Sequence, residues 1–240
     1  MKRTIRRLMP AAAVTTLAAT IVAVPSAASA ATPPKDPAAC LKAVQDWTVS
    51  NVDGRLAHLD VLDAALQAAG SVTAAHRAAL TESYASARTG LPAVESAVLA
   101  DTECAEARAD ARAVVDDYRI YLVLTPQTHL TIAADRGIAG VARLDAAALT
   151  LQKAIDSAAA AGRDVGAAQA AQAELLGDLQ QARAAFDGVA DDVLAQTPAG
   201  YPGNSAVFSA ARTEAQQGRQ ALAEAARDAK AVREALRAIA

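Results

Sequence analysis

Apolar residues recur along most of this chain at alternating three- and four-residue steps, the spacing of one face of an α-helix. The first stripe, Val49, Val52, Leu56, Leu59, Leu62 and Leu66, predicts a helix over 38–69 that ends at Gly70. A second helix is predicted over about 73–100 through Leu80, Tyr84, Ala87, Leu91, Val94 and Val98, with a kink or short break at Gly90 and Pro92. Asp101 and Thr102 cap a third, which carries Cys104, Ala107, Ala111, Val114, Tyr118 and Tyr121. The fourth follows Pro126 and runs to about Ala161 through Leu130, Val141, Leu151 and Ile155. The fifth opens at Asp164 and keeps its rhythm through Leu175, Leu179, Phe186, Val189 and Val193. After the loop TPAGYPG (197–203), a sixth starts near Asn204 and keeps the same rhythm, from Phe208 to Ile239, without a charged residue in the stripe.

These stripes predict an all-α protein, an antiparallel helical bundle of about six long helices. Alanine and glycine fill much of the seam, so the helices approach closely and each layer buries little apolar area. Leu80–Thr102 laid on Leu175–Thr197 matches Arg88 with Arg183, Val94 with Val189, Val98 with Val193 and Leu99 with Leu194. Leu56–Ala69 laid on Val141–Ala154 matches Leu59 with Leu144, Asp60 with Asp145 and Leu66 with Leu151. An internal duplication makes the protein two tandem three-helix, spectrin-like units, 38–125 and 126–240. The competing architecture folds all six helices into one compact bundle.

The pattern changes character over Val114–Arg136. Ile120–Leu124 is apolar on every side, which predicts burial on more than one face and makes this run the joint of the molecule. Thr125-Pro126 either kinks or ends the helix there. His129 shares the stretch with Asp116, Asp117, Tyr118, Tyr121 and Asp135. The candidate ligand site is therefore His129, Tyr118, Tyr121 and Asp117, where polar groups and freed carbonyls meet apolar walls. The plainer reading of the same residues is a solvated or hydrogen-bonded histidine beside tyrosines that fill core. His58 and His76 read as surface residues, and Trp47 as a core anchor. The charged residues of the last helix (Arg227, Asp228, Lys230, Arg233, Glu234, Arg237) read as a solvated face.

The N-terminus changes the picture of where the chain works. Lys2, Arg3, Arg6 and Arg7 precede an apolar run from Ala11 to Val24 and an Ala28-Ser29-Ala30 site, the pattern of a secretory signal peptide cleaved after Ala30. Arg6-Arg7 hints at twin-arginine export, but its flanks fit the general secretory route better. Residues 31–37 (ATPPKDP) form a flexible tail. Losing those four cations takes 23 basic residues to 19, against 26 acidic ones, a balance of −7. An acidic, aromatic-poor surface argues against nucleic acid and anionic lipid as partners, and no integral membrane segment is expected in the mature chain. An oxidising destination predicts that Cys40 and Cys104 pair as a disulfide. The up-down-up course of the first three helices brings both to the same end of the bundle.

The chemistry-bearing patterns are few. The sequence contains no Cys-x-x-Cys, no His-Glu-x-x-His, no Glu-x-x-His, no glycine-rich phosphate loop and no Gly-x-Ser-x-Gly. No cofactor, no catalytic residue and no metal ligand is called for. The leading expectation is an exported, non-catalytic helical binding or spacer protein of the cell envelope or medium, whose partner is a protein or envelope component. A small-ligand or metal carrier using the His129 region comes second, and an enzyme of unknown reaction third. The run DYRIYLVLTPQTHLTIAADR (117–136), with the signal peptide and the alanine-rich helices, resembles secreted alanine-rich helical proteins of unassigned function in high-GC Gram-positive bacteria. That resemblance implies export and helicity and carries no catalytic residues across.

Overall fold

A computed structural model describes residues 36–239 of the chain, and the expected signal peptide and most of the expected tail lie outside them. Asp36 starts the first helix by accepting a 3.0 Å hydrogen bond from the Ala38 amide, with Pro37 at the first helical position, where a missing N–H is harmless. That helix, α1, spans Pro37–Ala68, and α2 spans Ala74–Ala100. Two short helices follow, α3 (Cys104–Ala111) and α4 (Ala113–Asp116), and then a π-helical segment, Ile120–Leu124. Next come α5 (Thr125–Ala160), α6 (Gly166–Phe186), the short α7 (Val189–Leu194), a 3-10 turn at Pro198–Gly200 and α8 (Ser205–Ala238). The described residues are all-α, with no strand among them.

Five helices are long, where six were expected, and the differences have local causes. The third predicted helix holds its periodicity only as far as Val114. Its backbone then turns through Arg119 in the left-handed region (φ 37°, ψ 45°), which no right-handed helix passes through. The fifth predicted helix stops at Phe186, and α7 begins at Val189. Gly188, at φ 72°, makes the interruption, yet Phe186, Val189 and Val193 all stay buried, so the apolar rhythm runs straight across it. In α2 the opposite holds. The helix is unbroken through Pro92, and Gly90 has a steric role, because a Cβ there would collide with the Tyr118 ring.

The described residues form one compact unit with several apolar cores. α1, α2 and α3 pack on one another, as do α5, α6 and α8. Val52, Leu59, Leu66, Leu80, Tyr84 and Leu91 centre the first core, and Ile155, Leu175, Leu179, Ala225, Ala229 and Val232 the second. Between them lies a core of Val123, Leu130, Phe186, Val193 and Phe208. Phe186 fills the space left by two glycines, Gly137 on α5 and Gly218 on α8, where a Cβ would overlap its ring. Cys40 and Cys104 sit at bonding distance as a disulfide, with Cα atoms 5.8 Å apart, joining the starts of α1 and α3. No helix among the described residues is long and apolar enough to cross a membrane.

Three burial expectations need correction. Ile120, Val123 and Leu124 are buried, but Tyr121 is 49% and Leu122 45% exposed, so the joint is wrapped on one side only. The π turn, with its wider spacing, rotates these two side chains outward. Trp47 is 42% exposed and anchors no core. His58 and His76 are half-buried and hydrogen-bonded, as described next.

Candidate functional site

The start of α5 is where the chain concentrates its polar interior. Two threonines one turn apart spend their hydroxyl protons on backbone carbonyls of the π segment: Thr125 Oγ1 donates to Ile120 O (2.8 Å) and Thr128 Oγ1 to Leu124 O (2.8 Å). Each oxygen is then an acceptor. His58 of α1 meets Thr125 Oγ1 through Nε2 at 2.9 Å, and Tyr84 of α2 meets Thr128 Oγ1 through its hydroxyl at 2.7 Å. Because each threonine proton is already used, His58 and Tyr84 are the donors. Burial lowers the His58 pKa from its ordinary 6.5, and the nearby His129 lowers it further. The Tyr84 phenol is pushed up to about 12, chiefly by burial.

Tyr121 projects from the π segment beside His58, their ring centroids 5.0 Å apart. The Arg55 guanidinium lies 5.4 Å from the centre of the Tyr121 ring, a cation–π contact. Arg55 is buried, and its Nη1 donates to the carbonyl (3.1 Å) and the side-chain oxygen (2.9 Å) of Asn51, leaving Nε without a partner. Burial lowers the Arg55 pKa from its ordinary value. Beyond this cluster opens a groove of about 510 Å³, lined by Tyr121, Pro126, His129 and Leu130 on one side and by Arg212 and Arg219 of α8 on the other.

The four candidate residues do not share this groove. His129 and Tyr121 line it; Tyr118 and Asp117 face a second cleft of about 380 Å³ with Glu82, Ser83, Gln127 and Thr197. The left-handed turn at Arg119 separates the two pairs. Burial, followed by the Asp117 charge, raises the Tyr118 pKa. Asp116 is spent on Arg119 (2.9 Å), whose guanidinium also lies 4.8 Å from the Tyr201 ring centre.

Asp135 points away from His129 altogether. It is 7% exposed and accepts from the Thr73 amide at 2.8 Å and from His76 Nδ1 at 2.9 Å. His76 Nε2 reaches Asp191 of α7 at 3.2 Å, so one imidazole ties α2, α5 and α7 together. Burial alone would lower the His76 pKa, but the hydrogen bonds and charges of Asp135 and Asp191 outweigh it, and the net direction is upward. This ion-paired histidine escapes sequence reasoning because its partners are 59 and 115 residues away.

Two glutamines also escaped it. Gln45 Nε2 is aimed at the carbonyls of Val98 (3.3 Å), Leu99 (3.4 Å) and Asp101 (3.5 Å), at the end of α2. Gln127 Nε2 addresses Val193 (2.9 Å), Leu194 (3.5 Å) and Gln196 (2.7 Å), at the end of α7. Each satisfies carbonyls that a helix end leaves open. Among the described residues no group of three or more His, Cys, Asp or Glu side chains is placed to hold a metal ion. Comparison with known proteins adds no relative: no family model, no curated protein and no solved structure matches the chain.

Proposed function

We propose that the chain is an exported, non-catalytic binding protein whose scaffold is two tandem, antiparallel three-helix units, α1 to α4 and α5 to α8. The observation that carries this reading is the repeated glutamine clamp. Val98 and Leu99 align with Val193 and Leu194 in sequence, and the glutamine at the other helix of each unit addresses the same carbonyls in the same order. A second pairing repeats with it. Arg88 bridges Asp60 (2.9 Å) and Asp63 (3.1 Å), and Arg183 bridges Asp145, matching the aligned pairs Arg88/Arg183 and Asp60/Asp145.

Contacts between α1 and α2 support an antiparallel direction for the helices. Early residues of α1 meet late residues of α2 (Gln45 with Val98), and late residues of α1 meet early residues of α2 (Leu66 O with Arg77 Nη1, 2.7 Å). That register supports an antiparallel pair. The buried polar groups, Gln127, Thr128 and Asp135, are spent holding helices to one another, which suits a scaffold that presents a surface. The signal-peptide pattern and the Cys40–Cys104 bridge support an oxidising, extracytoplasmic destination.

The test is native mass spectrometry, with metal analysis, on protein recovered from its own cells. The expected species is a bridged chain beginning at Ala31 with no stoichiometric metal. An uncleaved leader overturns export, and a stoichiometric metal lost on His129→Ala overturns the reading in favour of a metal carrier.

A further inference from the structure

Among the described residues, the groove at the joint combines two exposed arginines with a histidine on the facing helix. Arg212 and Arg219 stand two turns apart on α8, so they project from one face. Both are exposed, and neither has a hydrogen-bond or ion-pair partner among the described residues, whereas Arg88, Arg119, Arg183 and Arg227 all bridge carboxylates. His129 faces them across the groove, with His58 and the buried Arg55 directly behind Tyr121. No Asp or Glu lines the groove. Three basic side chains, Arg212, Arg219 and His129, therefore line one opening in a protein whose formal balance is −3 over the whole sequence.

Two cations left free of counter-ions and aimed into a concave site suit an anion, and planar guanidinium groups suit an oxyanion that accepts two hydrogen bonds from each. The remaining walls are Pro126, Leu130, Ala133 and Ala215 and the Tyr121 ring, interrupted by the polar Thr125 and Gln216. A bare inorganic ion would leave that surface unused. The volume falls in the range of small-molecule sites.

We propose that this groove binds a small organic oxyanion, its carboxylate or phosphate held by Arg212 and Arg219 beside His129 and its apolar body laid against Pro126, Leu130 and Tyr121. Arg55 and His58 act as positioning residues. They hold the Tyr121 ring from behind, and their own hydrogen bonds go to Asn51 and Thr125. This assignment rests on the reading of the chain as a binding protein, but not on export or on the tandem architecture, so its failure leaves those two standing.

The experiment follows the histidine ring resonances of the isotopically labelled mature protein by NMR. The probes are phenyl phosphate, phenylacetate and inorganic phosphate, with benzylamine as a cationic control. The His129 signals are expected to move saturably with one or both aromatic oxyanions while those of His76 stay in place. Burial of the ring should make binding about tenfold tighter than that of inorganic phosphate. Arg212→Gln and Arg219→Gln, both at exposed positions, should each weaken it about tenfold or more, the loss expected for a charge-assisted hydrogen bond. Saturation by phenyl phosphate alone assigns the head group as phosphate, and by phenylacetate alone as carboxylate. The proposal is overturned if neither aromatic oxyanion saturates the shift, if benzylamine binds as well, or if the double arginine variant binds like wild type.

Discussion

Helices α1 and α2, and helices α5, α6 and α7, carry the same polar contacts, but what packs against each set differs. In the second half the third partner is α8, a single helix of 34 residues seated on alanine and glycine. In the first half it is α3, α4 and the π segment, broken twice and turned through the left-handed Arg119. Only the first half has a disulfide, placed where the broken element begins. A long helix is held along its whole length by close backbone approach, whereas an eight-residue helix presents few contacts and gains from a covalent tie. The irregular element is also the one that delivers Tyr121 to the groove and Tyr118 to the opposite cleft. Where the proposed duplication departs from symmetry, it places tyrosines at two clefts.

The largest effect should come from the π segment itself. Val123→Asp places an unpaired charge in the central core and should lower stability by about 4 kcal/mol or more, read from denaturant unfolding. Leu122→Asp, at its exposed neighbour, should change it by less than about 1 kcal/mol. Equal effects would mean that the wrapping of this segment is misread. Reduction of the bridge comes next. A link across 64 residues should contribute about 4 kcal/mol by the chain-entropy account. Thiol labelling of the unfolded, unreduced protein should find no reactive cysteine.

The glutamine clamps should show a smaller and graded effect. Gln127→Leu takes the side-chain donor from the Leu194 and Gln196 carbonyls at the end of α7 and should cost about 1–3 kcal/mol, while Gln45→Leu, half-buried, should cost about 1 kcal/mol. If Gln127→Leu were neutral, the clamp would not be holding the helix end. The smallest effects are the histidine titrations, which run in opposite directions. His76 is held above its ordinary 6.5, so its stabilisation is complete below that pH and fades as pH rises through the raised value. His58 is held below 6.5, so the unfolded chain takes up the proton first and stability falls as the solution is acidified past that value. His76→Gln should remove the loss on the alkaline side and His58→Gln the loss on the acid side, measured as unfolding midpoint against pH.

What the sequence disclosed follows from what periodicity measures. The stripes located α1, α2, α5, α8 and the start of α6 to within a few residues, because each buries one face at helical spacing over several turns. The same stripes concealed both interruptions. Val189 and Val193 keep the rhythm of α6 although Gly188 turns the chain just before them, and Tyr118 and Tyr121 continue the rhythm of α3 although they point to different clefts. Gly188 was the one local clue to the first, and nothing in the residue type of Arg119 announces the second. At the candidate site, His129 and Tyr121 were legible because they share a stretch with Pro126. Arg212 and Arg219 were not, since their pattern is that of any solvated helix face until α5 is laid beside them. His76, Gln45 and Gln127 depend on partners far along the chain, which no local pattern encodes.

The tandem-unit reading is tested most directly by native-state hydrogen exchange on the protein with Cys40 and Cys104 reduced and blocked. Two units predict that the amides of α1, α2 and α3 lose protection while those of α6 and α8 keep theirs, so the chain opens in two cooperative steps. Uniform loss of protection from α1 to α8, at one common free energy, would contradict the account and return the chain to a single bundle.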